Sequence, residues 1–224
     1  MKVKAPRSYD ARSRLEQAKR TRDGVIEIAS QIFLERGYAA TTITTIAREV
    51  GISVETIYKA FGGKAGLVRA IYETGLAGRG TSPAPQRSDA MILSEADGHS
   101  IARAWGRLTA EVSPLVSPML LLVRAGASTD DELALLWREA EDQRLTRMTL
   151  NAQKLVERGF LKDGLTVERA GEIMWAYTSA ELYELLVLRR GWSAQQYGDF
   201  VGEAVAAAVI DSPTHDVLPR GHER

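Results

Sequence analysis

Residues 42–64 read TITTIAREVGISVETIYKAFGGK, and the pattern of this stretch predicts two short helices separated by a glycine turn. Four apolar residues of the first helix recur at spacings of three and four, which places them on one face: Ile43, Ile46, Ala47 and Val50. Gly51 follows directly and can adopt the left-handed conformation that ends a helix. The first helix is therefore expected to end at Val50.

The second helix of this stretch is expected to begin at Ser53. The Ser53 hydroxyl can accept from the free backbone N–H groups of the first turn, and Glu55 suits the positive end of the helix. Two helices joined by a turn of three or four residues form a helix-turn-helix, whose second helix enters the major groove of DNA. On its outward side, Thr56 can reach a phosphate or a base edge, Val54 a thymine methyl, and Lys59 a phosphate or a guanine.

The same stretch resembles the DNA-binding segment of TetR-type (tetracycline-repressor-like) transcriptional regulators. The resemblance runs from about Arg22 to Tyr72 and is carried by Thr44-Thr45-Ile46-Ala47, Gly51-Ile52-Ser53, Thr56-Ile57-Tyr58 and Phe61 followed by Lys64. In the preceding helix, Ala29, Phe33, Gly37 and Tyr38 also match. Beyond Gly75 the chain is similar only in its general plan, an all-helical ligand-binding and dimerisation domain, with a local similarity at residues 178–183.

The resemblance implies that Tyr58 donates to a DNA phosphate and that Lys64, Thr44 and Thr45 contact the DNA backbone. The residues expected at the DNA are Thr44, Thr45, Ser53, Val54, Glu55, Thr56, Tyr58, Lys59 and Lys64. Glu55 departs from this pattern because an acid repels phosphate, so it either reads a cytosine amino group or points away. The structural alternatives are a packed surface aromatic for Tyr58, a helix cap for Thr44 and a solvated cation for Lys64.

The charge of the chain is unevenly distributed although its formal net charge is zero. Residues 1–80 hold 14 Lys and Arg against 8 Asp and Glu, whereas the remainder hold 15 against 21. A basic first third and an acidic remainder are typical of a DNA-binding domain joined to a domain that avoids DNA. The alternative is chance segregation in a neutral protein.

The composition indicates a soluble protein of the cytoplasm. The 224 residues are 45% hydrophobic, which is enough to bury a real core, and the absence of cysteine excludes disulfides and thiolate metal sites. We see no signal sequence, and no apolar stretch that approaches the roughly 20 residues needed to span a bilayer. No contact with a membrane is therefore expected.

The chain is expected to be all-α, with an N-terminal helix-turn-helix DNA-binding domain and a C-terminal helical ligand-binding and dimerisation domain. Its predicted parts are a basic flexible arm (1–20), the DNA-binding domain (21–75, with a helix from Thr21 to Arg36), a Gly/Pro/Ser-rich linker (76–87), the effector-binding and dimerisation domain (88–211) and a polar tail (212–224). The helices predicted for the second domain are 88–113, 115–126, 130–159, 166–190 and 193–210. The basic residues of the arm either follow DNA phosphates or the minor groove, or form a solvated tail: Lys2, Lys4, Arg7, Arg12 and Arg14.

The last two predicted helices are apolar on more than one side, which indicates a four-helix interface with a second copy of the chain. The residues expected there are Tyr183, Leu186, Phe200, Val201, Ala204, Val205 and Ala208. A ligand pocket is expected among aromatic and methionine side chains of the second domain: Trp105, Met119, Leu122, Trp137, Met148, Trp175 and Tyr177. For both sets the alternative is burial in an ordinary monomer core.

These patterns predict a homodimeric, sequence-specific regulator of transcription that binds a palindromic operator in double-stranded DNA. The resemblance implies a repressor that a small, largely apolar effector releases, with the helix from Lys64 to Leu76 acting as a lever between the domains. The alternatives are a helical protein-interaction module without specific DNA binding and a helical enzyme. An enzyme finds little support because His99, His215 and His222 share no helix face and no nucleophile or metal-ligand spacing is present. We therefore expect no catalytic residue, no metal and no cofactor.

Overall fold

The computed structural model describes residues 8–80 and 82–211, and these residues form an all-helical fold. The helices are α1 (Ser8–Ala40), α2 (Ile43–Val50), α3 (Val54–Phe61), α4 (Lys64–Ala77), α5 (Ala84–Ser94), α6 (Gly98–Gly126), α7 (Asp131–Glu157), α8 (Val167–Tyr177), α9 (Ala180–Tyr183) and α10 (Ala194–Val209). A π-helical turn, Glu184–Leu188, continues α9. Within the described ranges, extended pairing is limited to one isolated bridge between Leu161 and Ile210. The predicted fold class is confirmed.

The chain divides into two compact units. The first contains the residues up to Gly75 together with Pro118–Arg138, and the second contains Leu76–Ser117 together with the residues from Glu139 onward. One boundary between the units lies after Gly75. The assignment of 118–138 to the first unit was not expected, and it means that α6 and α7 each contribute to both units.

The core of the first unit is formed mainly by α1 to α4. Three of its side chains, Phe33, Ile46 and Ile57, have no exposed surface. The other buried apolar residues of these helices include Val25, Ile26, Ala29, Ile32, Ile43, Leu67, Val68 and Ile71. The apolar spacing of three and four therefore identified the buried face of α2, where Ile43, Ile46 and Ala47 are buried.

Helix α1 is longer than the sequence pattern predicts. It begins at Ser8, so residues 8–20 are helical, whereas the sequence analysis placed them in a flexible arm. The segment LEQAKR from residue 15 is made of good helix formers, which favours helix even without an apolar face. Lys2, Lys4 and Arg7 lie outside the described residues. At Gly37 the backbone leaves the helical region, with φ of 78° and ψ of 167°, and this kink precedes Tyr38.

The second unit has a hydrophobic core that includes Ile92, Ile101, Leu155, Met174 and Tyr197. In this unit α6 and α10 cross at a close approach between glycines. A Cβ atom built at Gly106 would lie 2.5 Å from the carbonyl oxygen of Gly198, a distance that real side chains do not tolerate. The backbones can approach this closely only because both positions lack a side chain.

The structure differs from the helices predicted at 88–113 and 115–126 in two ways. The predicted helix is interrupted after Ser94, because Asp97 caps a new helix by accepting from the backbone N–H of Ser100 at 2.8 Å. In addition, α6 continues through Pro114 and Pro118 to Gly126, whereas a break was predicted at Pro114. A proline inside a helix removes one backbone hydrogen bond and costs about 3 kcal/mol. Burial of apolar side chains on both sides of the prolines offsets this cost: Ile101, Ala104, Trp105, Met119, Leu120 and Val123.

By length and composition alone, α6 also passes as a membrane-spanning helix, with a mean hydropathy of 1.3 over its most apolar window. No stretch of this kind is expected from the sequence, so this expectation is wrong for α6. A long core helix meets the same criterion, and Ile101, Ala102 and Val123 of α6 are fully buried in the protein.

The predicted helix at 166–190 is interrupted near its middle. Helix α8 ends at Tyr177, and the hydroxyl of Thr178 donates to the carbonyl oxygen of Met174 at 2.9 Å. Ser179 then caps α9 by accepting from the backbone N–H of Leu182 at 3.2 Å. Hydroxyl side chains that bond the local backbone compete with a continuous helix, which explains the interruption.

Candidate nucleic-acid interface

The first helix of the helix-turn-helix, α2, is capped at its N-terminus by Thr42. The Thr42 hydroxyl accepts from the backbone N–H of Thr45 at 3.1 Å and lies 3.0 Å from the Thr45 hydroxyl. The cap is thus Thr42 and not Thr44, so the capping alternative for Thr44 does not apply. The Thr44 side chain is exposed next to the free N–H groups at the start of α2.

The turn between α2 and α3 has the geometry predicted for it. Gly51 adopts the left-handed conformation, with φ of 76° and ψ of 33°. The backbone N–H of Gly51 donates to the Arg48 carbonyl at 3.2 Å, and that of Ile52 donates to the Ala47 carbonyl at 3.0 Å. These bonds satisfy the last carbonyls of α2 and fix the direction in which α3 leaves.

Helix α3 begins with Ser53 as its cap, as predicted. The Ser53 hydroxyl accepts from the backbone N–H of Thr56 at 3.1 Å and lies 2.9 Å from the Thr56 hydroxyl. With Ile57 fully buried, the helix leaves Glu55, Thr56, Tyr58 and Lys59 exposed and Val54 half-buried. Tyr58 is 53% exposed, which is high for an aromatic side chain and contrasts with the core position of Ile57.

Lys64 occupies the first position of α4 and is half-buried. Its ammonium nitrogen lies 4.0 Å from the centroid of the Tyr38 ring, a cation–π contact. Burial lowers the pKa of Lys64, and the nearby carboxylate of Asp130 partly opposes this shift. The predicted alternative of a freely solvated cation therefore does not describe Lys64.

Arg22 is a residue of this region that the sequence analysis did not single out. Its guanidinium donates to the carbonyl oxygen of Ala60 at 3.0 Å and lies 4.5 Å from the centroid of the Phe61 ring. Arg22 thereby holds the C-terminal end of α3 against α1. No local sequence signal identifies a contact across 38 residues, so only the folded chain reveals it.

The helix-turn-helix and the start of α4 thus offer several groups that can bind DNA. Thr44, Thr56 and Tyr58 can donate hydrogen bonds to phosphate oxygens, and Lys59 and Lys64 add positive charge. Ser53 caps α3 and is exposed, whereas Thr45 donates its backbone N–H to the cap residue Thr42 and is half-buried. Glu55 is exposed in the first turn of α3, where the positive helix end stabilises its carboxylate.

Comparison with known proteins shows which family this region resembles. Residues 25–71 match the family of bacterial regulatory proteins described as the tetR family. We call this segment the TetR domain after that similarity. The matched residues include all nine positions expected at the DNA, from Thr44 to Lys64. The resemblance predicted from the sequence is confirmed.

Two relatives of the TetR domain are HTH-type transcriptional regulators of Pseudomonas putida. They are TtgR and the probable regulator ArpR, and each is 41% identical to this chain over 59 residues. The match spans 26% of this chain and 28% of the length of each relative. These relatives are regulators and not enzymes.

Solved structures share the fold over most of the chain. A SmeT–triclosan complex has a TM-score of 0.68 at 20% identity, and the alignment covers 85% of this chain and 92% of SmeT. A transcriptional regulator from Saccharomonospora viridis in complex with choline has a TM-score of 0.65 at 18% identity, covering 87% of this chain and all (100%) of that one. NalD, the secondary repressor of the MexAB-OprM multidrug efflux pump in Pseudomonas aeruginosa, has a TM-score of 0.64 at 18% identity, covering 87% of this chain and 98% of NalD. The similarity at these identities concerns the fold.

The residues predicted to line a ligand pocket are divided between the two units. Met119, Leu122 and Trp137 belong to the first unit with the TetR domain, and the other four belong to the second: Trp105, Met148, Trp175 and Tyr177. Trp105 is buried in the second core, against which Met148 and Tyr177 pack. The guanidinium of Arg144 lies 4.8 Å from the ring of Trp175 and donates to Glu141 at 2.6 Å.

A groove of about 540 Å³ lies elsewhere in the second unit, between α6 and α10. Its basic side chains come from α6 and its acidic ones from α10: His99, Arg103 and Arg107, then Asp199 and Glu203. None of the seven predicted pocket residues lines this groove.

The residues predicted for a dimer interface fall into two groups. Tyr183, Val201 and Val205 are buried within the core of the second unit itself. Leu186, Phe200, Ala204 and Ala208 are half-buried at its surface. Leu185 and Leu188, in the π-helical turn, are 51% and 53% exposed.

Proposed function

We propose that this chain is a DNA-binding regulator of transcription that recognises an operator through α3 as a homodimer. The observation that carries the proposal is the TetR domain with its capped α2 and α3. It leaves Thr44, Thr56, Tyr58 and Lys59 exposed beside Lys64. Because one short helix reads few base pairs, two-fold symmetry and a palindromic operator are the expected route to specificity. A protein of this kind acts in the cytoplasm.

The direction of regulation that we propose is repression. SmeT and NalD, which share the fold, are both repressors of multidrug efflux pumps. We further propose that a small, largely apolar molecule bound in the second unit releases the DNA. The complex of SmeT with triclosan, a small and largely apolar molecule, supports the ligand part of this idea, since SmeT shares the fold of the chain.

The proposed coupling uses the helices that leave the TetR domain. Helix α4 was predicted as the lever, and α6 and α7 also contribute residues to both units. A conformational change in the second unit therefore has three continuous helices through which it can act on the DNA-binding unit.

Fluorescence anisotropy tests the proposal, with the full-length protein and DNA from upstream of its own gene beside random DNA. Selective binding that weakens steeply with salt is expected. Tyr58→Ala and Lys64→Ala should each reduce affinity, whereas Lys162→Ala, which removes a lysine of the second unit, should not.

Two further outcomes are informative. If the upstream DNA binds no better than random DNA, and a genome-wide selection of bound fragments also yields no selective site, the protein is a helical interaction module and not a regulator. If DNA binds selectively, addition of triclosan as a first probe tests release. A panel of apolar molecules that leaves the affinity unchanged would contradict the effector part of the proposal.

A further inference from the structure

One side-chain cluster of the first unit links the first position of α4 to the start of α7. Tyr38 lies at its centre, and the ring of Phe33 stacks on it with centroids 6.0 Å apart and an interplanar angle of 15°. The Lys64 ammonium lies 4.0 Å from the centroid of the Tyr38 ring. The position of the ammonium therefore depends on where the Tyr38 ring is held.

The Tyr38 ring is held at its other end by Asp130. The Tyr38 hydroxyl donates to Oδ2 of Asp130 at 2.9 Å, while Oδ1 of the same carboxylate accepts from the backbone N–H of Leu133 at 3.0 Å. Asp130 is the cap of α7, so its carboxylate cannot rotate without losing one of these bonds. The backbone N–H of Leu133 lowers the pKa of Asp130, with Tyr38 and Lys64 adding to the shift, so the group is charged at neutral pH.

The surroundings leave this arrangement little freedom. A Cβ atom built at Gly126 would lie 2.4 Å from Cδ1 of Leu133 and 3.8 Å from the Tyr38 ring, so the end of α6 packs closely here. Burial raises the pKa of Tyr38, and the hydrogen bond to Asp130 raises it further, so the phenol remains a proton donor. Packing alone requires only a phenyl ring at position 38, whereas the hydroxyl serves the bond to Asp130.

Lys64 needs such support for DNA binding. Its position in the first turn of α4 places a cation at the positive end of a helix, which is unfavourable, and its long side chain loses entropy when ordered. The aromatic face satisfies one side of the ammonium, and the remaining N–H groups can still donate to a phosphate.

We propose that Tyr38 and Asp130 are positioning residues for DNA binding, which orient the Lys64 ammonium toward a DNA phosphate. The proposal rests on the proposed function, because it needs a DNA contact at Lys64. It extends the interface to the residues around the turn between α6 and α7, and neither Tyr38 nor Asp130 itself touches DNA.

A double-mutant cycle between Tyr38→Phe and Lys64→Ala tests this proposal. Affinities are measured for a DNA fragment that the wild-type protein binds selectively. Tyr38→Phe keeps the ring and the stacking on Phe33 and removes only the hydroxyl. It should weaken binding about threefold to tenfold, the range of one net hydrogen bond. Lys64→Ala should lower the salt slope by about 0.9. In the Lys64→Ala background, Tyr38→Phe should change the affinity by less than about twofold, because the group that it orients is gone.

Controls separate positioning from stability. Tyr197→Phe removes a tyrosine hydroxyl that donates to the Tyr177 carbonyl at 3.3 Å in the second unit and should leave DNA affinity unchanged. Melting temperatures are recorded for all variants. If Tyr38→Phe does not fold, Asp130→Ser replaces it in the cycle, since serine still caps α7 but removes the second carboxylate oxygen, which accepts from the Tyr38 hydroxyl.

The results distinguish the two proposals. Selective binding by the wild type with non-additive variants supports positioning. Selective binding with an unchanged or fully additive Tyr38→Phe effect overturns it. An absence of selective DNA binding by the wild type overturns the proposed function and, with it, this inference.

Discussion

The guanidinium of Arg87 binds both carboxylate oxygens of Glu111. Nη1 donates to Oε2 at 2.7 Å and Nη2 donates to Oε1 at 2.8 Å, and the backbone N–H of Arg79 donates to Oε1 at 2.6 Å. The segment predicted as a linker, residues 76–87, is thus attached to α6 within the second unit. Gly78 suits this position because its φ of 76° lies in the left-handed region that favours glycine.

Replacing Glu111 with Gln should loosen this segment. The bidentate bond to Arg87 is charge-assisted, and its loss should lower the free energy of unfolding by about 1–3 kcal/mol. Urea denaturation followed by circular dichroism measures the change. Glu157→Gln, at an exposed position of α7, is the control and should stay within about 0.5 kcal/mol of the wild type.

The same ion pair predicts a dependence on pH. The hydrogen bonds from Arg87 lower the pKa of Glu111 from 4.5 to about 2, with Arg79 adding to the shift. A carboxylate with a lowered pKa contributes stability above pH 4.5, and this contribution is lost as the pH falls toward 2. The stability difference between wild type and Glu111→Gln should therefore be largest at neutral pH and shrink below it. A difference that stays constant from neutral pH down to about 2 would contradict the assignment.

Substitution of Gly106 by Ala should destabilise the second unit. The added Cβ atom would lie 2.5 Å from the Gly198 carbonyl oxygen, so backbone must move, at a cost of about 3 kcal/mol. Gly24→Ala is the matched control, because nothing lies within 4 Å of its Cβ position in the interior of α1. It should stabilise the protein by about 0.5–1 kcal/mol. Equal effects of the two changes in urea denaturation would contradict the close helix crossing.

Ser53 allows helix capping and DNA binding to be separated. Ser53→Ala removes the acceptor for the Thr56 N–H and should cost about 1 kcal/mol of stability and weaken DNA binding. Ser53→Asn and Ser53→Asp should both restore stability, since each caps a helix well. Only Ser53→Asn should restore DNA affinity, because the aspartate places a negative charge beside the phosphates. Equal DNA affinity of the two caps would place Ser53 away from DNA.

The exposed leucines of the π-helical turn test the dimer. Leu188 is 53% exposed, and Leu188→Glu should shift the protein from dimer to monomer if this surface contacts a second copy. Leu93→Glu is the control, since Leu93 in α5 is 78% exposed and should leave the mass unchanged. Light scattering at several concentrations measures both variants. If the Leu188→Glu protein remained a dimer, the interface would have to lie on another surface of the chain.

Much of the candidate interface could be predicted from sequence because its signals are local. Gly51 and Ser53 act on backbone groups within four residues, and the burial of Ile46 and Ile57 follows from helical spacing. The bond from Arg22 to the Ala60 carbonyl and that from Tyr38 to Asp130 join residues 38 and 92 positions apart. No periodicity in the chain specifies such partners.

In the second unit too, some features could be predicted from the sequence and others could not. The sequence predicted helices and a start at Ser193, where the Ser193 and Gln196 side chains form a capping box. It placed a break at Pro114, where burial maintains the helix, and none at Thr178, where a hydroxyl bond accompanies the end of α8. At Pro114, packing that only the assembled core supplies overrode local propensity. At Thr178 the interruption comes from hydroxyl bonds to the local backbone.

The sequence by itself therefore determined the helical class, the helix-turn-helix and the exposed row from Thr44 to Lys59, since each depends on contacts within a few residues. The tertiary structure alone decided that Glu111 binds Arg87, that Gly106 meets Gly198 and that Asp130 holds Tyr38 beside Lys64. Such contacts depend on how whole helices pack, and packing energy is shared among many weak interactions that no short stretch of sequence contains.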